Sequence, residues 1–341
     1  MRTNKLPITL AQFGCGYWGP NLLRNFSALP DCRVKYVVDP SEERRRYVAH
    51  AFPGVTPVEC LETVLDDPEI DAVVIATPAR SHFPLATRAL ESGKSVLVEK
   101  PLATTTAEID ALARFESSGL VVMAGHTFVY NGAVRYVKNL IDIGELGDIR
   151  VIYSQRLNLG RIRSDVDALW NFAPHDVSII QYWLDGAAPS RVSRHGMAFV
   201  QDGIEDVVFL NIAYPNKVIA NVHVSWLSPQ KVRRITVVGS KKMIVYDDLA
   251  EEKIAIFDKG IDRKATLGER MDFDQPERTP FSYRSGAIVL PRIDFIEPLR
   301  VQAQHFIECI RTGQAPLTGT AHARGVVEIL EAAERSLEVT A

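Results

Sequence analysis

The stretch Ile8-Thr9-Leu10-Ala11-Gln12-Phe13-Gly14-Cys15-Gly16-Tyr17-Trp18-Gly19 decides the fold. An apolar, strand-like run leads directly into G-x-G-x-x-G. In that pattern the first glycine permits a tight turn. The second lets a pyrophosphate approach the backbone, and the third lets the next helix pack close to the strand. Pro20 suits a first helical turn, so the spacing predicts a helix over 21–27 whose free N–H groups face the phosphates. A second strand-like run, 34–38, ends in Asp39, about twenty residues beyond Gly19, where an acidic side chain hydrogen-bonds a ribose 2′-hydroxyl. That favours NAD over NADP. Two alternatives stay open: Asp39 opens a turn with Pro40 and Ser41, or Arg44, Arg45 and Arg46 accept a 2′-phosphate.

Working outward, strand-like runs at 55–58, 71–76, 95–98 and 120–124 alternate with helical patterns at 42–51, 60–65, 81–92 and 105–118. Gly93 and Gly119 stop two of these helices. The run 71–76 is apolar throughout, as a strand buried on both faces requires. Strand–helix alternation predicts an α/β, doubly wound parallel sheet, a Rossmann domain over 1–124. The pattern changes at 125–341. A helix near 133–143 is followed by strand-like runs at 149–157, 191–199, 206–213, 218–226, 233–238 and 243–246, with Pro215-Asn216 as a hairpin turn. Strands without helices between them predict a mostly antiparallel sheet and an α+β domain. Residues 258–292 lack a period and predict a long surface loop or arm. The runs 300–311 and 323–337 read as closing helices.

A chain of 341 residues is long enough for two cores. Its net charge of −3 gives no reason to expect a nucleic-acid partner. No apolar run approaches the roughly twenty residues that span a bilayer, so no membrane partner is expected. The first strand begins within a few residues of Met1, leaving no room for a signal peptide. Cys15, Cys32, Cys60 and Cys309 are scattered, which suits a reducing cytoplasm and argues against disulfides or zinc.

Ligands of open parallel sheets bind beyond the carboxyl ends of the strands. Two such ends carry polar residues: Ala76-Thr77-Pro78 with His82, and Glu99-Lys100-Pro101. A lysine beside a nicotinamide orients a hydroxyl or stabilises its developing alkoxide as hydride leaves; Lys100 is otherwise a surface charge. In Trp170-Asn171-Phe172-Ala173-Pro174-His175-Asp176, Pro174 predicts a helix start, with Val177, Ile180 and Leu184 as the apolar stripe. His175 then falls in the first turn, where the macrodipole disfavours imidazolium. A neutral histidine is the base that hydroxyl oxidation needs; the alternative is a histidine with a purely structural role.

Taken together, the glycine loop, Ala76-Thr77-Pro78 with His82, Glu99-Lys100-Pro101 and Ala173-Pro174-His175-Asp176 resemble the Gfo/Idh/MocA family of oxidoreductases over nearly the whole chain. The resemblance implies a Rossmann domain and a second domain that binds substrate and packs through its open sheet into a homo-oligomer, a dimer or tetramer. It implies Lys100 and His175 as the catalytic pair and allows a cis Lys100–Pro101 bond. It extends cofactor contacts to Tyr17, Trp18, Thr77, Pro78, His82, Glu99 and Lys100. Many relatives carry Asp where this chain has Asn171, which makes inositol a poorer substrate. The segments 16–21 and Gly125-His126-Thr127-Phe128-Val129-Tyr130 resemble the branch acting on nucleotide-linked sugars, which includes UDP-N-acetylglucosamine 3-dehydrogenases. That branch implies substrate contacts at Lys100, Tyr130, Asn171 and His175. The stretch 155–163 places Arg156, Asn158, Arg161 and Arg163 just ahead of His175, where cations suit a diphosphate; a solvated basic turn is the other reading. Lys231, Arg233 and Arg234 form a second basic group. The implied activity is NAD-dependent oxidation of a ring hydroxyl, at the 3-position, of a nucleotide-linked sugar. The alternatives are a free-sugar or polyol dehydrogenase and a non-catalytic NAD-binding sensor.

Overall fold

The computed structural model describes residues 7–160, 162–263 and 281–338. Two compact units emerge, each discontinuous in sequence. One comprises the chain up to Asn131 with Val177–Gly186 and Phe295–Arg335; the other comprises Gly132–Asp176, Ala187–Asp294 and the end of the chain.

The first unit opens with β1 (Ile8–Phe13), buried along its whole length. There follow α1 (Gly19–Ser27), β2 (Cys32–Val38), α2 (Glu42–Ala51), β3 (Thr56–Val58), α3 (Glu62–Leu65), β4 (Ala72–Ile75), α4 (His82–Glu91), β5 (Ser95–Glu99), α5 (Thr106–Ala113) and β6 (Val122–Gly125). Local signals set the helix ends. Pro20 lies in the first turn of α1. Thr105 and Glu108 form a reciprocal capping box on α5. Gly119, at φ 74°, ends the turn that prolongs α5. The strand order is β3-β2-β1-β4-β5-β6, parallel throughout. This is the doubly wound dinucleotide-binding order, with its switch point between β1 and β4.

The second unit contains α6 (Gly132–Asp142), β7 (Ile149–Leu157), the first half of α7 (Ala168–Trp183), β8 (Arg191–Met197), β9 (Val207–Ala213), β10 (Ile219–Ser225), β11 (Val232–Gly239), β12 (Met243–Asp247), β13 (Ile254–Arg263) and β14 (Phe281–Val289). They form a sheet in the order β14-β13-β12-β11-β7-β10-β9-β8, in which β7 and β10 run parallel and the other pairs antiparallel. Asn216 and Lys217, at φ 61° and 63°, make the β9–β10 turn. Side chains alternate between faces. Ile152, Ser154 and Arg156 of β7 point inward, whereas Tyr153 of β7, Phe209 of β9 and Ile219 of β10 are exposed.

Two expectations are corrected. The helix of His175 begins at Ala168, not at Pro174. Asp167 starts it: its carboxylate accepts the Trp170 N–H at 2.9 Å and its carbonyl the Asn171 N–H at 3.0 Å. Pro174 lies inside the helix, so His175 lies beyond the first turn and the macrodipole argument does not hold for it. The polar arm expected at 258–292 is in part a hairpin, β13 pairing with β14 from Ile256↔Val289 to Arg263↔Phe281. Most of β14 is exposed, so the one-sided alternation that marks a strand is missing there. Residues 264–280 of that arm lie outside the described residues.

The closing helices α8 (Pro298–Thr312) and α9 (Thr320–Glu338) lie largely in the first unit. Phe306 of α8 meets Phe26 of α1 edge-on, ring centroids 6.2 Å apart, within an apolar cluster that includes Leu22, Leu299 and Ile310. A polar cluster adjoins β6. Thr318 donates to the Ala124 carbonyl at 2.8 Å, Thr127 donates to Gln302 at 2.6 Å, and the rings of His126 and His322 meet edge-on at 5.1 Å. Among the described residues no helix is long and apolar enough to cross a membrane.

Burial, with His322 alongside, holds the His126 pKa well below its ordinary value, and burial brings that of His322 down to about 4. Both rings stay neutral in the fold, whereas unfolded histidines take up protons below about pH 6.5. Stability therefore falls as pH drops from about 6.5 toward 4, by at most about 1.4 kcal/mol per pH unit per histidine. Urea unfolding at stepped pH is expected to show this loss. His322→Gln is expected to make the slope shallower; an unchanged slope would contradict the assignment.

Candidate active site

The glycine loop follows from three different backbone demands. Gly14 has φ 87°, and a Cβ there would stand 2.6 Å from the Ala76 carbonyl oxygen and 2.9 Å from the Thr77 methyl. At Gly19 a Cβ would stand 2.8 Å from the Gly14 carbonyl oxygen. At Gly16 a Cβ would meet nothing within 4 Å, so this glycine borders open space. The first and third glycines are thus required by packing, and the second leaves room for a ligand at the N-terminus of α1. Gln12, buried in β1, donates from one amide nitrogen to the carbonyls of Gly14 and Gly19, at 2.8 and 3.1 Å. It staples the loop, a role the sequence pattern does not signal.

Asp39 closes the other side of the loop. One carboxylate oxygen accepts the Cys15 N–H at 2.8 Å and the other the Ser41 N–H at 2.9 Å. Each oxygen keeps acceptor capacity for a ribose hydroxyl. Of the three arginines beyond it, Arg45 donates to the carbonyls of Asp39 and Pro40 and pairs with Glu59, and Arg46 pairs with Glu42. Burial, reinforced by Asp39, pushes the Cys15 thiol up to about 11, so it is a neutral small residue in the loop. These residues fit a dinucleotide: a cradle with an open second glycine at the N-terminus of α1, and a carboxylate at the end of β2.

The ends of β4 and β5 are tied together by His82. Its Nδ1 lies 2.7 Å from the Pro101 carbonyl oxygen and its Nε2 lies 2.8 Å from that of Thr77. Burial, aided by the charge of Lys100, lowers its pKa against the pull of these two acceptors, so near neutrality the ring donates to one of them at a time. His82 is buried and acts on the loops around it. Thr77 accepts the Ser81 hydroxyl at 2.8 Å, and the Pro78 carbonyl accepts it at 2.7 Å. The Lys100–Pro101 bond is cis. Lys100 is half-buried, and its N–H donates to Glu99 Oε2 at 3.2 Å. Tyr17 and Trp18 are exposed on the loop, and the Trp18 indole helps to hold the Glu99 pKa down.

In the second unit His175 is half-buried on α7, and Asn171, four residues earlier, shares its face. The neighbouring Asp176 is buried. It accepts the Ser154 hydroxyl at 2.8 Å and two Arg156 guanidinium donors at 2.6 and 3.2 Å. Removing one member of such a buried pair costs about 3–5 kcal/mol. Arg156, expected at a diphosphate, is thus paired inside the unit with Asp176 and anchors α7. Tyr130, expected at the substrate, is buried in the first unit's core, with its hydroxyl 3.1 Å from Thr318 Oγ1. Asn158 is half-buried, its N–H on the Ser225 carbonyl at 3.1 Å. Arg163 is exposed and pairs with Asp165 through two donors at 2.8 and 2.7 Å. Arg161 lies outside the described residues. In the second basic group Arg233 pairs with Asp248 and Arg234 with Asp247.

Residues 8–126 match the model of the oxidoreductase family with an NAD-binding Rossmann fold, and residues 134–245 match the GFO/IDH/MocA C-terminal domain. The chain belongs to the Gfo/Idh/MocA oxidoreductase family. Among its relatives is scyllo-inositol 2-dehydrogenase (NAD(+)) of Bacillus subtilis, 26% identical over 91% of this chain and 88% of that one. dTDP-3,4-didehydro-2,6-dideoxy-alpha-D-glucose 3-reductase of Streptomyces violaceoruber is 38% identical over 38% of each chain. The solved UDP-N-acetylglucosamine 3-dehydrogenase GnnA of Acidithiobacillus ferrooxidans shares the fold, with a TM-score of 0.77 at 23% identity over 97% of this chain and 98% of that one. This member of the family is thus an oxidoreductase with an NAD-binding Rossmann domain and a sheet-based second domain, and its relatives include sugar and polyol dehydrogenases.

The contrast between glycines is testable. Gly14→Ala meets both the steric limit and the positive φ and is expected to lose about 1–3 kcal/mol or more in denaturant unfolding. Gly16→Ala is expected to change stability by no more than about 0.5 kcal/mol, while weakening NAD binding in a fluorescence titration at least about tenfold, a loss of about 1.4 kcal/mol. Equal effects of the two substitutions on binding and stability would refute the division of roles.

Proposed function

We propose that this protein is an NAD-dependent dehydrogenase that oxidises a ring hydroxyl, at the 3-position, of a nucleotide-linked sugar to a ketosugar. The observation that carries the reading is Lys100 at the carboxyl end of β5, on the sheet whose β1–α1 loop is built for a dinucleotide. NAD, when bound, supplies the hydride acceptor. Lys100 positions and polarises the hydroxyl oxygen. His175 takes the hydroxyl proton as the carbon–hydrogen bond breaks. Asp39 selects NAD over NADP because a 2′-phosphate would meet its carboxylate. The names of two relatives, a UDP-sugar 3-dehydrogenase and a dTDP-sugar 3-reductase, support the carbon and the nucleotide. Asn171 weighs against inositol, because its amide holds no charge.

A second reading, oxidation of a free sugar or polyol, is favoured by one observation. Two of the cations expected at a diphosphate, Arg156 and Arg163, are engaged with Asp176 and Asp165. The match to scyllo-inositol 2-dehydrogenase over 91% of the chain points the same way. NADH formation across a panel of UDP- and dTDP-sugars, free hexoses and inositols separates the two. Turnover confined to free polyols would overturn the nucleotide-sugar reading, and no turnover on any of them would favour an NAD-binding sensor. With the active substrate, Lys100→Met and His175→Asn are each expected to lower kcat by about 10²-fold or more while NAD still binds. Full turnover in either variant would remove that residue from the mechanism.

The open sheet face, with Tyr153, Phe209 and Ile219 exposed, is assigned to contact with a second copy of the chain. Phe209, stacked on His223 at 4.2 Å, lies within it. Light scattering of Phe209→Glu is expected to give a smaller assembly than the unaltered protein, and an identical mass would count against this face.

A further inference from the structure

Glu99 has surroundings that its place in the strand-end motif does not explain. It closes β5 and pairs in register with Gly125 of β6. A Cβ at Gly125 would stand 2.9 Å from the Glu99 Cα and 3.2 Å from its carboxyl carbon and Oε1, so the glycine makes room for the acid. Oε2 accepts the Lys100 N–H at 3.2 Å. Oε1 is buried with no hydrogen-bond partner among the described residues. A buried carboxylate with an empty acceptor is costly unless a positive charge stands near it.

The sheet order says where such a charge arrives. Doubly wound sheets take one mononucleotide on each side of the switch point. Asp39, the ribose-binding acid, ends β2 on one side, so the ends of β4, β5 and β6 serve the nicotinamide side. We propose that Glu99 is a titrating counter-charge to the nicotinamide: it gives up its proton to solvent when the cationic, oxidised cofactor binds, and holds it in the empty protein and in the complex with the uncharged, reduced cofactor. This rests on the cofactor reading above and adds a property to one residue.

Burial raises the Glu99 carboxyl to about 7, against the pull of the Lys100 N–H, the Lys100 charge and the Trp18 indole. The charge acting on it from its own strand end is that of Lys100. The glycine loop presents Trp18, which is uncharged. β6 presents Gly125, and the His126 that follows is kept neutral by burial. A proton is thus half-bound near neutrality, and a modest added positive potential expels it. The sign follows from linkage: a ligand that prefers the anion binds more tightly as pH rises through the free-protein value.

The test is calorimetric binding of NAD⁺ and of NADH, between about pH 6 and 8, in two buffers of different ionisation enthalpy. Unaltered protein is expected to release up to about half a proton on binding NAD⁺ near pH 7. Its NAD⁺ affinity is expected to rise up to about tenfold over that range, the equivalent of one unit of pKa displacement. NADH affinity is expected to change less than about twofold. Glu99→Gln is expected to bind both cofactors without this proton release or pH dependence. Trp18→Phe, which removes the indole's pull on the Glu99 pKa, is expected to move the NAD⁺ transition to higher pH, a change that a merely structural role would not produce. Proton release that persists in Glu99→Gln, or equal pH responses for NAD⁺ and NADH, would overturn the inference and leave the cofactor reading standing. Failure of the unaltered protein to bind either form would overturn both.

Discussion

The first unit depends on one close approach, that of the Gly14 backbone to the end of β4. With φ at 87° and the Ala76 carbonyl where a Cβ would go, no side chain is tolerated there. The contact lies at the switch point, where the two halves of the sheet diverge, and other contacts run outward from it. Gln12 and Asp39 hold the loop from either side. Thr77 packs against Gly14, and its carbonyl meets His82, whose other ring nitrogen meets the carbonyl of Pro101. An unbroken series of contacts therefore leads from the dinucleotide loop to the loop that carries Lys100. His82 is a positioning residue in that series: buried and neutral, its ring lies between two carbonyls and donates to one of them at a time.

The second unit has a different anchor. Asp176 is taken from water and given three donors by Ser154 and Arg156 of β7. Buried ion pairs add little net stability over apolar packing of the same shape, but they tolerate few geometries. A fixed geometry is what α7 needs if His175 and Asn171, on one of its faces, are to be held steady. The residues that make α7 rigid are thus adjacent in sequence to those the proposed chemistry uses, and serve a distinct purpose.

Much of the first unit was legible because parallel strands buried on both faces read as short apolar runs, and because Gly14, Gly16 and Gly19 answer to backbone rules that hold in any chain. The second sheet was legible where one face is buried: β7, β9 and β10 alternate clearly. It was not legible at β14, where most side chains are exposed and no one-sided pattern forms. Pro174 misplaced the start of α7, because a proline is more often found at a helix start than inside one. The cap at Asp167 decided the matter through a hydrogen bond formed within the turn itself. Gln12 left no trace in the pattern, since its bonds go to backbone carbonyls, which every residue carries.

By itself the sequence determined the order of strands and helices in the first unit, the dinucleotide loop and the family, because these follow from local conformational limits and from the periodicity of burial. It singled out Lys100 and His175 by pattern. Only the tertiary structure decided how individual polar groups are used: that Arg156 faces inward to Asp176, that Tyr130 is core, that Arg163 is paired at the surface and that Glu99 keeps an acceptor empty. A charged residue reads the same in a sequence whether it meets a ligand or a buried counter-ion. The difference lies in which distant residues the fold brings within hydrogen-bonding reach and how much water remains between them.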